Sequence, residues 1–182
     1  PLAPIRMASE LLKRTRQEYH QRIAQVLVER FPESAETQPE LLAHHFTEAG
    51  LWVTAVEYWQ RAGLRGIQRS AYVEAISHFT KGLELLNTLP ETAERIRQEL
   101  SVQTNLGPAL MATKGFGAPE VQHAYARARE LCRQVGETAQ LFPVLRGLST
   151  FYIVRAEIQT AHELAKELLV LAQRAGDPAM LV

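Results

Sequence analysis

Small and bulky apolar residues recur in two stretches of the chain at matching helical spacings. In the first stretch these positions are Leu42, Ala43, Phe46, Gly50, Ala55, Trp59 and Ala62. In the second stretch they are Leu148, Ser149, Tyr152, Ala156, Ala161, Ala165 and Leu168. A small residue suits a close helix crossing and a large one fills the neighbouring space. The pattern therefore predicts two antiparallel helix pairs built alike, with Ala55 and Ala161 at the tight crossings.

Apolar positions elsewhere also follow the helical period, and no segment alternates as a strand would. We predict an all-α fold of about eight helices. Pro39 fits the first position of the second helix, and Gly50 fits the left-handed cap at its end. Gly107-Pro108 is expected to kink the fifth helix. The predicted ranges are 9–31, 40–49, 53–68, 71–87, 92–113, 118–135, a seventh helix capped by Thr138, and 158–175.

Periodicity also predicts which side chains are buried. Trp59, Cys132 and Ala165 lie on core-facing stripes, whereas Tyr58 lies beside one. On the first helix, apolar side chains gather on a single face; they are Leu12, Tyr19, Ile23, Val26 and Leu27.

The C-terminal residues suggest a further helix. Asp177-Pro178 reads as a helix cap followed by a first-turn proline, yet the sequence stops at Val182. We expect the chain to be a piece of a longer protein, with the last complete helix uncovered on one flank. Uncovered apolar surface drives association, so we also expect a homodimer through this end.

Charge and hydropathy narrow the function class. Lys plus Arg and Asp plus Glu both number 20, whereas a nucleic-acid module usually has a basic excess. No apolar run reaches the length of a membrane span. The single cysteine fits a reducing cytoplasm. We therefore expect a cytoplasmic protein that binds neither nucleic acid nor membranes.

Candidate catalytic and cofactor motifs are weak. The chain has no glycine-rich phosphate loop ending in Gly-Lys-Ser/Thr, and Gly115-Phe116-Gly117 reads as a turn. His44 and Glu48 share a helical face, but the sequence offers no third metal ligand. A basic cluster on the first helix reads as a solvated face; it comprises Lys13, Arg14, Arg16 and Arg22. We predict a chain with no enzymatic activity, cofactor or metal.

The repeated pattern resembles the tetratricopeptide repeat, whose period is about 34 residues. Three stretches in order also resemble the segment after the ATPase module of large bacterial signalling ATPases of the STAND type: LLKRTRQEYHQRIA from Leu11, PELLAHHFTEAG from Pro39 and AVEYWQRAG from Ala55. Later strings, GPAL from Gly107 and APEV from Ala118, resemble the same array. The family often carries a class III adenylate/guanylate cyclase or a kinase domain.

This resemblance implies a right-handed superhelical array of helix hairpins. Residues 1–34 would lead from an upstream winged-helix or ATPase region, and residues 35–182 would form the array. It would sense signals and bind a protein or peptide segment in its concave groove, with its own ATPase or output domain as one candidate partner. The predicted groove residues are Glu40, His44, Glu48, Thr104, Met111, Arg146 and Thr150.

Three alternatives stay open at this point. The chain could belong to a transcription regulator with a helix-turn-helix output domain, or to an unrelated cytoplasmic scaffold. It could also be a small-ligand sensor, which a mixed polar and apolar pocket beside the inner helices would favour.

Overall fold

The computed structural model describes residues 3–136 and 139–175, and the side chains of residues 10–136 and 139–174. Within these residues every regular element is an α-helix. The helices are α1 (Ala3–Arg30), α2 (Pro32–Thr37), α3 (Pro39–Glu48), α4 (Trp52–Gln68), α5 (Tyr72–Leu86), α6 (Ala93–Lys114), α7 (Pro119–Val135), α8 (Leu141–Val154) and α9 (Ile158–Ala175). None of them, in this part of the chain, has the length and apolar content to cross a lipid bilayer.

The helical fold class is confirmed, and the described residues contain one more helix than the eight predicted. The additional element is α2, a six-residue helix that begins at Pro32 and ends at Thr37. It is too short to produce a readable period. The first helix begins at Ala3 rather than at residue 9. The predicted cap at Thr138 and the helix start at Asp177-Pro178 lie outside the described residues.

The helices pack in chain order as a hairpin array. Each helix from α3 onward contacts the next, and α1 packs on α2 and α3. In addition, α6 directly contacts both α4 and α8, so the even-numbered helices α4, α6 and α8 form one row. The buried side chains form two clusters, a small one around α1, α3 and α4 and a large one from α4 to α9.

One tight turn recurs between helices and explains the repeated spacing. Gly50, Ser70 and Ala156 have φ angles of 76°, 57° and 59°, and a new helix begins two positions after each of them. The residue after each donates its N–H to a carbonyl five positions back: Leu51 to Phe46, Ala71 to Gly66, and Glu157 to Tyr152. A buried alanine follows five positions after each left-handed residue, at Ala55, Ala75 and Ala161.

The predicted pairing of Gly50 with Ala156 is thus matched by backbone geometry, although Ala156 has a β-carbon that disfavours this conformation. Ala55 and Ala161 are buried, as the predicted helix crossings require. The turn at Ser70 was not predicted, although Ala75, Phe79 and Gly82 follow it at the offsets at which Ala55, Trp59 and Ala62 follow Gly50.

Several burial predictions can be compared directly. Trp59 and Cys132 are buried, as predicted. The prediction for Tyr58 was wrong: its side chain is 8% exposed and its ring stacks on Phe46. The prediction for Ala165 was also wrong, because this residue is exposed on α9.

The apolar face predicted for α1 is largely open to solvent. Tyr19, for example, is 63% exposed, whereas the neighbouring Ala24 is fully buried against α3. The reason is that α1 packs on the array by a narrow contact that includes His20, Ala24 and Leu27. The helical period in the sequence gives the direction of each side chain on its helix. It does not show which face of the helix packs against another helix.

Candidate functional site

An open groove of about 550 Å³ lies between α6 and α8, with α7 beneath it. Four of the seven predicted groove residues line it: Thr104 and Met111 on α6, and Arg146 and Thr150 on α8. We call this cavity the α6–α8 groove. Its other lining residues are Asn105, Pro108, Phe116, Tyr125, Pro143 and Gly147.

The floor of the groove is the ring of Tyr125, which is held between two glycines. A β-carbon at Gly107 would come within 2.3 Å of the Tyr125 Cζ atom, and one at Gly147 within 2.4 Å. No side chain tolerates such a distance, so α6 and α8 both need glycine where they pass over the ring. Burial raises the pKa of the Tyr125 phenol, and the nearby positive charge of Arg146 opposes that rise.

The charge of the groove comes from Arg146. This side chain is exposed, and in the described part of the chain its guanidinium has no hydrogen-bond or ion-pair partner. No Asp or Glu lines the groove. The Tyr125 hydroxyl also lacks a hydrogen-bond partner among the described residues. The groove is therefore lined by a cation and by a tyrosine whose hydroxyl has no partner among the described residues.

The remaining polar side chains of the groove form hydrogen bonds with the backbone of their own helices. The Thr104 and Thr150 hydroxyls donate to the carbonyls of Leu100 and Arg146 at 2.8 and 2.9 Å. The Asn105 amide nitrogen donates to the Ser101 carbonyl at 2.7 Å. Since only the nitrogen of that amide is used, its oxygen is left as an acceptor.

The other three predicted groove residues, Glu40, His44 and Glu48, do not line the α6–α8 groove. They lie on α3, where α1 packs, and Glu48 forms an ion pair with Arg16 of α1. These three residues were predicted by giving α3 the same inward-facing register as α8. In the structure, however, α8 belongs to the row that α4 and α6 form, whereas α3 packs between α1 and α4.

Three histidines meet where α1 packs on α3. The Nδ1 atoms of His20 and His45 are 2.9 Å apart, and the ring centroids of His20, His44 and His45 are separated by 5.0–5.7 Å. We call this set the histidine trio. Burial, then the neighbouring His20 and His44, lower the pKa of His45. Among the side chains that the structure describes, no three are placed to hold a metal ion, and this includes the trio.

A second cavity, of about 610 Å³, lies between α5 and α7 on the opposite side of α6. Its floor is apolar, with Leu83, Leu106 and Leu110, and its polar end is built around Glu99. We call it the α5–α7 cavity.

Glu99 is 4% exposed, and two arginines hold its carboxylate. Arg127 donates from Nε at 2.6 Å and from Nη2 at 3.0 Å, and Arg95 lies 3.3 Å away. The hydrogen bond to Glu99 raises the pKa of Arg127, so this arginine stays charged. Glu99 was not predicted from the sequence, although a signal was present. It shares a helical stripe with the buried Val102 and Leu106, where a carboxylate requires a partner.

Comparison with known proteins finds a much longer bacterial relative. No protein-family model matches the chain. An uncharacterized protein of Rhizobium meliloti (strain 1021) is 27% identical to it over 170 residues, which is 92% of this chain and 16% of that protein. The chain thus spans about a sixth of the length of the curated relative that it matches.

Proposed function

We propose that this chain is a non-catalytic docking module whose α6–α8 groove binds a segment of a protein partner. The observation that carries the proposal is the unpaired Arg146 guanidinium above an apolar floor, in a groove with no acidic lining residue. A groove on a helical array suits an extended peptide segment, because both the main chain and alternate side chains of the segment can contact the groove. The groove is open, since both Arg146 and Phe116 are exposed, so a chain can pass through it.

The wider role is proposed in the same terms. The chain would sense a partner in the cytoplasm of a bacterium and relay its binding to the ATPase and to a cyclase or kinase output of a larger signalling protein. Its own ATPase or output domain is one candidate occupant. Two observations support this proposal: the resemblance of the first, third and fourth helices to such proteins, and a match to a small part of a much longer bacterial relative.

Peptide binding to the chain tests the docking proposal. The probe is a pool of fluorescent eight-residue peptides with Glu and Leu fixed at the two central positions and the others random. We expect saturable binding by fluorescence polarisation, and we expect Arg146→Glu to weaken it by about tenfold or more, because the charge would then repel the peptide carboxylate. The matched control is Arg69→Glu, an exposed arginine at the end of α4 that lies outside the groove.

Two results would reject the proposal. One is a pool that does not bind below about 1 mM. The other is binding that Arg146→Glu and Arg69→Glu weaken equally, since this would indicate a general charge effect.

A second function, small-ligand sensing, is favoured by the α5–α7 cavity. Its volume lies in the range of ligand pockets, and it combines apolar walls with a few placed polar groups. The Gln103 side chain lines it and makes no hydrogen bond among the described residues. A thermal-shift screen of small organic compounds would support this alternative if stabilisation in the wild type were lost in Gln103→Trp, which fills the cavity.

A further inference from the structure

Pro108 occupies a position where proline is unfavourable. It is the sixteenth residue of the 22-residue helix α6, and the helix continues beyond it to Lys114. A proline inside a helix removes one backbone hydrogen bond and clashes with the preceding turn, which destabilises the helix. It neither begins nor ends α6, so helix termination does not explain it.

The consequence of Pro108 is a backbone carbonyl without its helical donor. In a regular helix the N–H of residue 108 would donate to the carbonyl of Thr104, and proline has no N–H. Both Thr104 and Pro108 line the α6–α8 groove, so this carbonyl lies on the groove side of α6. A backbone carbonyl without a helical donor requires another partner, and a donor from outside the chain would supply it.

The groups around this carbonyl complete a set that suits a polypeptide. On α6, the Thr104 carbonyl and the Asn105 side-chain oxygen are acceptors. From α7 and α8, the Tyr125 hydroxyl and Arg146 face the same groove as donors. An extended peptide presents both N–H and C=O groups along each edge, so it can meet the acceptors on α6 and the donors on α7 and α8 together.

We propose that the Thr104 carbonyl freed by Pro108 accepts a hydrogen bond from a main-chain N–H of the bound segment, while Arg146 holds a carboxylate of the same segment. The inference rests on the proposed docking function and states how the groove recognises its partner. The partner segment is extended and carries an acidic side chain next to a large apolar one. The apolar side chain packs on Met111 and Phe116.

Replacing Pro108 separates its effect on helix stability from its effect on binding. In Pro108→Ala, residue 108 regains an N–H that donates to Thr104, so the melting temperature should rise while affinity for the Glu-Leu peptide pool falls by about five- to tenfold. The matched control is Pro143→Ala. Pro143 also lines the groove, but it lies in the first turn of α8, where a backbone N–H has no helical acceptor. We expect Pro143→Ala to change affinity by less than about twofold.

Peptide backbone methylation provides an independent measurement on the wild-type chain. One eight-residue peptide selected from the pool is N-methylated at each amide in turn. We expect a single position at which methylation weakens wild-type binding by about five- to tenfold, and little further loss at that position in Pro108→Ala. If that variant does not fold, the single sensitive amide in the wild type still decides the question.

The outcomes distinguish this inference from the docking function. If Pro108→Ala is more stable and binds as tightly as the wild type, or if no single amide is sensitive, the carbonyl contact is wrong while docking stands. If the peptide pool does not bind the wild type at all, the docking function itself fails.

Discussion

The Tyr125 ring lies so close to Gly147 that a β-carbon at position 147 would be 2.4 Å from its Cζ atom. The ring therefore fixes the distance between α7 and α8. Gly107 meets the same ring from α6 at 2.3 Å. One aromatic side chain thus sets the spacing of the two helices that form the walls of the α6–α8 groove.

We predict that Gly147→Ala destabilises the chain by about 1–3 kcal/mol, because the added methyl must displace the Tyr125 ring. The matched control is Gly82→Ala on α5, where the new β-carbon would meet its nearest neighbour, Trp59 Cβ, at an ordinary 3.6 Å. That control should gain up to about 1 kcal/mol from helix propensity. Urea unfolding measures both. Equal effects of the two substitutions would show that Tyr125 does not restrain α8.

The recurring turn predicts that substitutions at two aligned positions change stability differently. Gly50→Ala should lose about 1 kcal/mol, because alanine is disfavoured at a φ of 76°. Ala156→Gly should lose less or gain stability, because it relieves the same strain at a φ of 59°. Chemical denaturation measures the difference between the two variants. A larger loss for Ala156→Gly than for Gly50→Ala would contradict the turn equivalence.

The buried carboxylate of Glu99 predicts a large effect of removing its charge. Glu99→Gln leaves Arg95 and Arg127 without their shared anion, and breaking such a pair typically costs about 3–5 kcal/mol. We expect the lower end of that range, since Arg127 is partly exposed and water can solvate it. The control is Glu94→Gln, an exposed member of an ion pair on the same helix. Similar unfolding free energies for the two variants would reject a structural role for Glu99.

The histidine trio predicts that α1 is bound less firmly at acidic pH. The pKa of His45 is lowered from 6.5 in the packed state, so protonation favours the state in which α1 is released. The contribution to packing is complete above pH 6.5 and is lost as the pH falls below that value. One proton lies between the Nδ1 atoms of His20 and His45, which are 2.9 Å apart. Protonating both nitrogens would place two N–H groups against each other. The neighbouring Arg16–Glu48 ion pair also joins α1 to α3.

Hydrogen-exchange protection of α1 amides, relative to that of α7, measures this release between about pH 7.5 and 5.5. We expect protection of α1 to fall with pH in the wild type and to change much less in His45→Gln. The control is His162→Gln, an exposed histidine on α9, which should behave like the wild type. An unchanged pH response in His45→Gln would show that the trio does not control α1.

Local periodicity in the sequence determined most of the fold. The helical class, the bounds of α3 to α7 to within a residue or two, and the burial of Trp59 and Cys132 follow from side-chain direction along a helix, which depends only on neighbours in sequence. The matching offsets of Gly50 and Ala156 correspond to a turn that both positions share in the structure. Register alone also named four residues that line the α6–α8 groove: Thr104, Met111, Arg146 and Thr150.

Tertiary structure decided which faces meet, and this cannot be read from spacing. Tyr58 is buried because α3 supplies Phe46 beside it, while Tyr19 has an equally apolar ring and no neighbour to cover it. His20 joins His45 from 25 residues away, and Arg127 reaches Glu99 from 28. Glu40, His44 and Glu48 were placed in the groove by analogy of register, but packing placed α3 against α1. Contacts between distant segments depend on how whole helices stack, and one sequence period is compatible with several stackings.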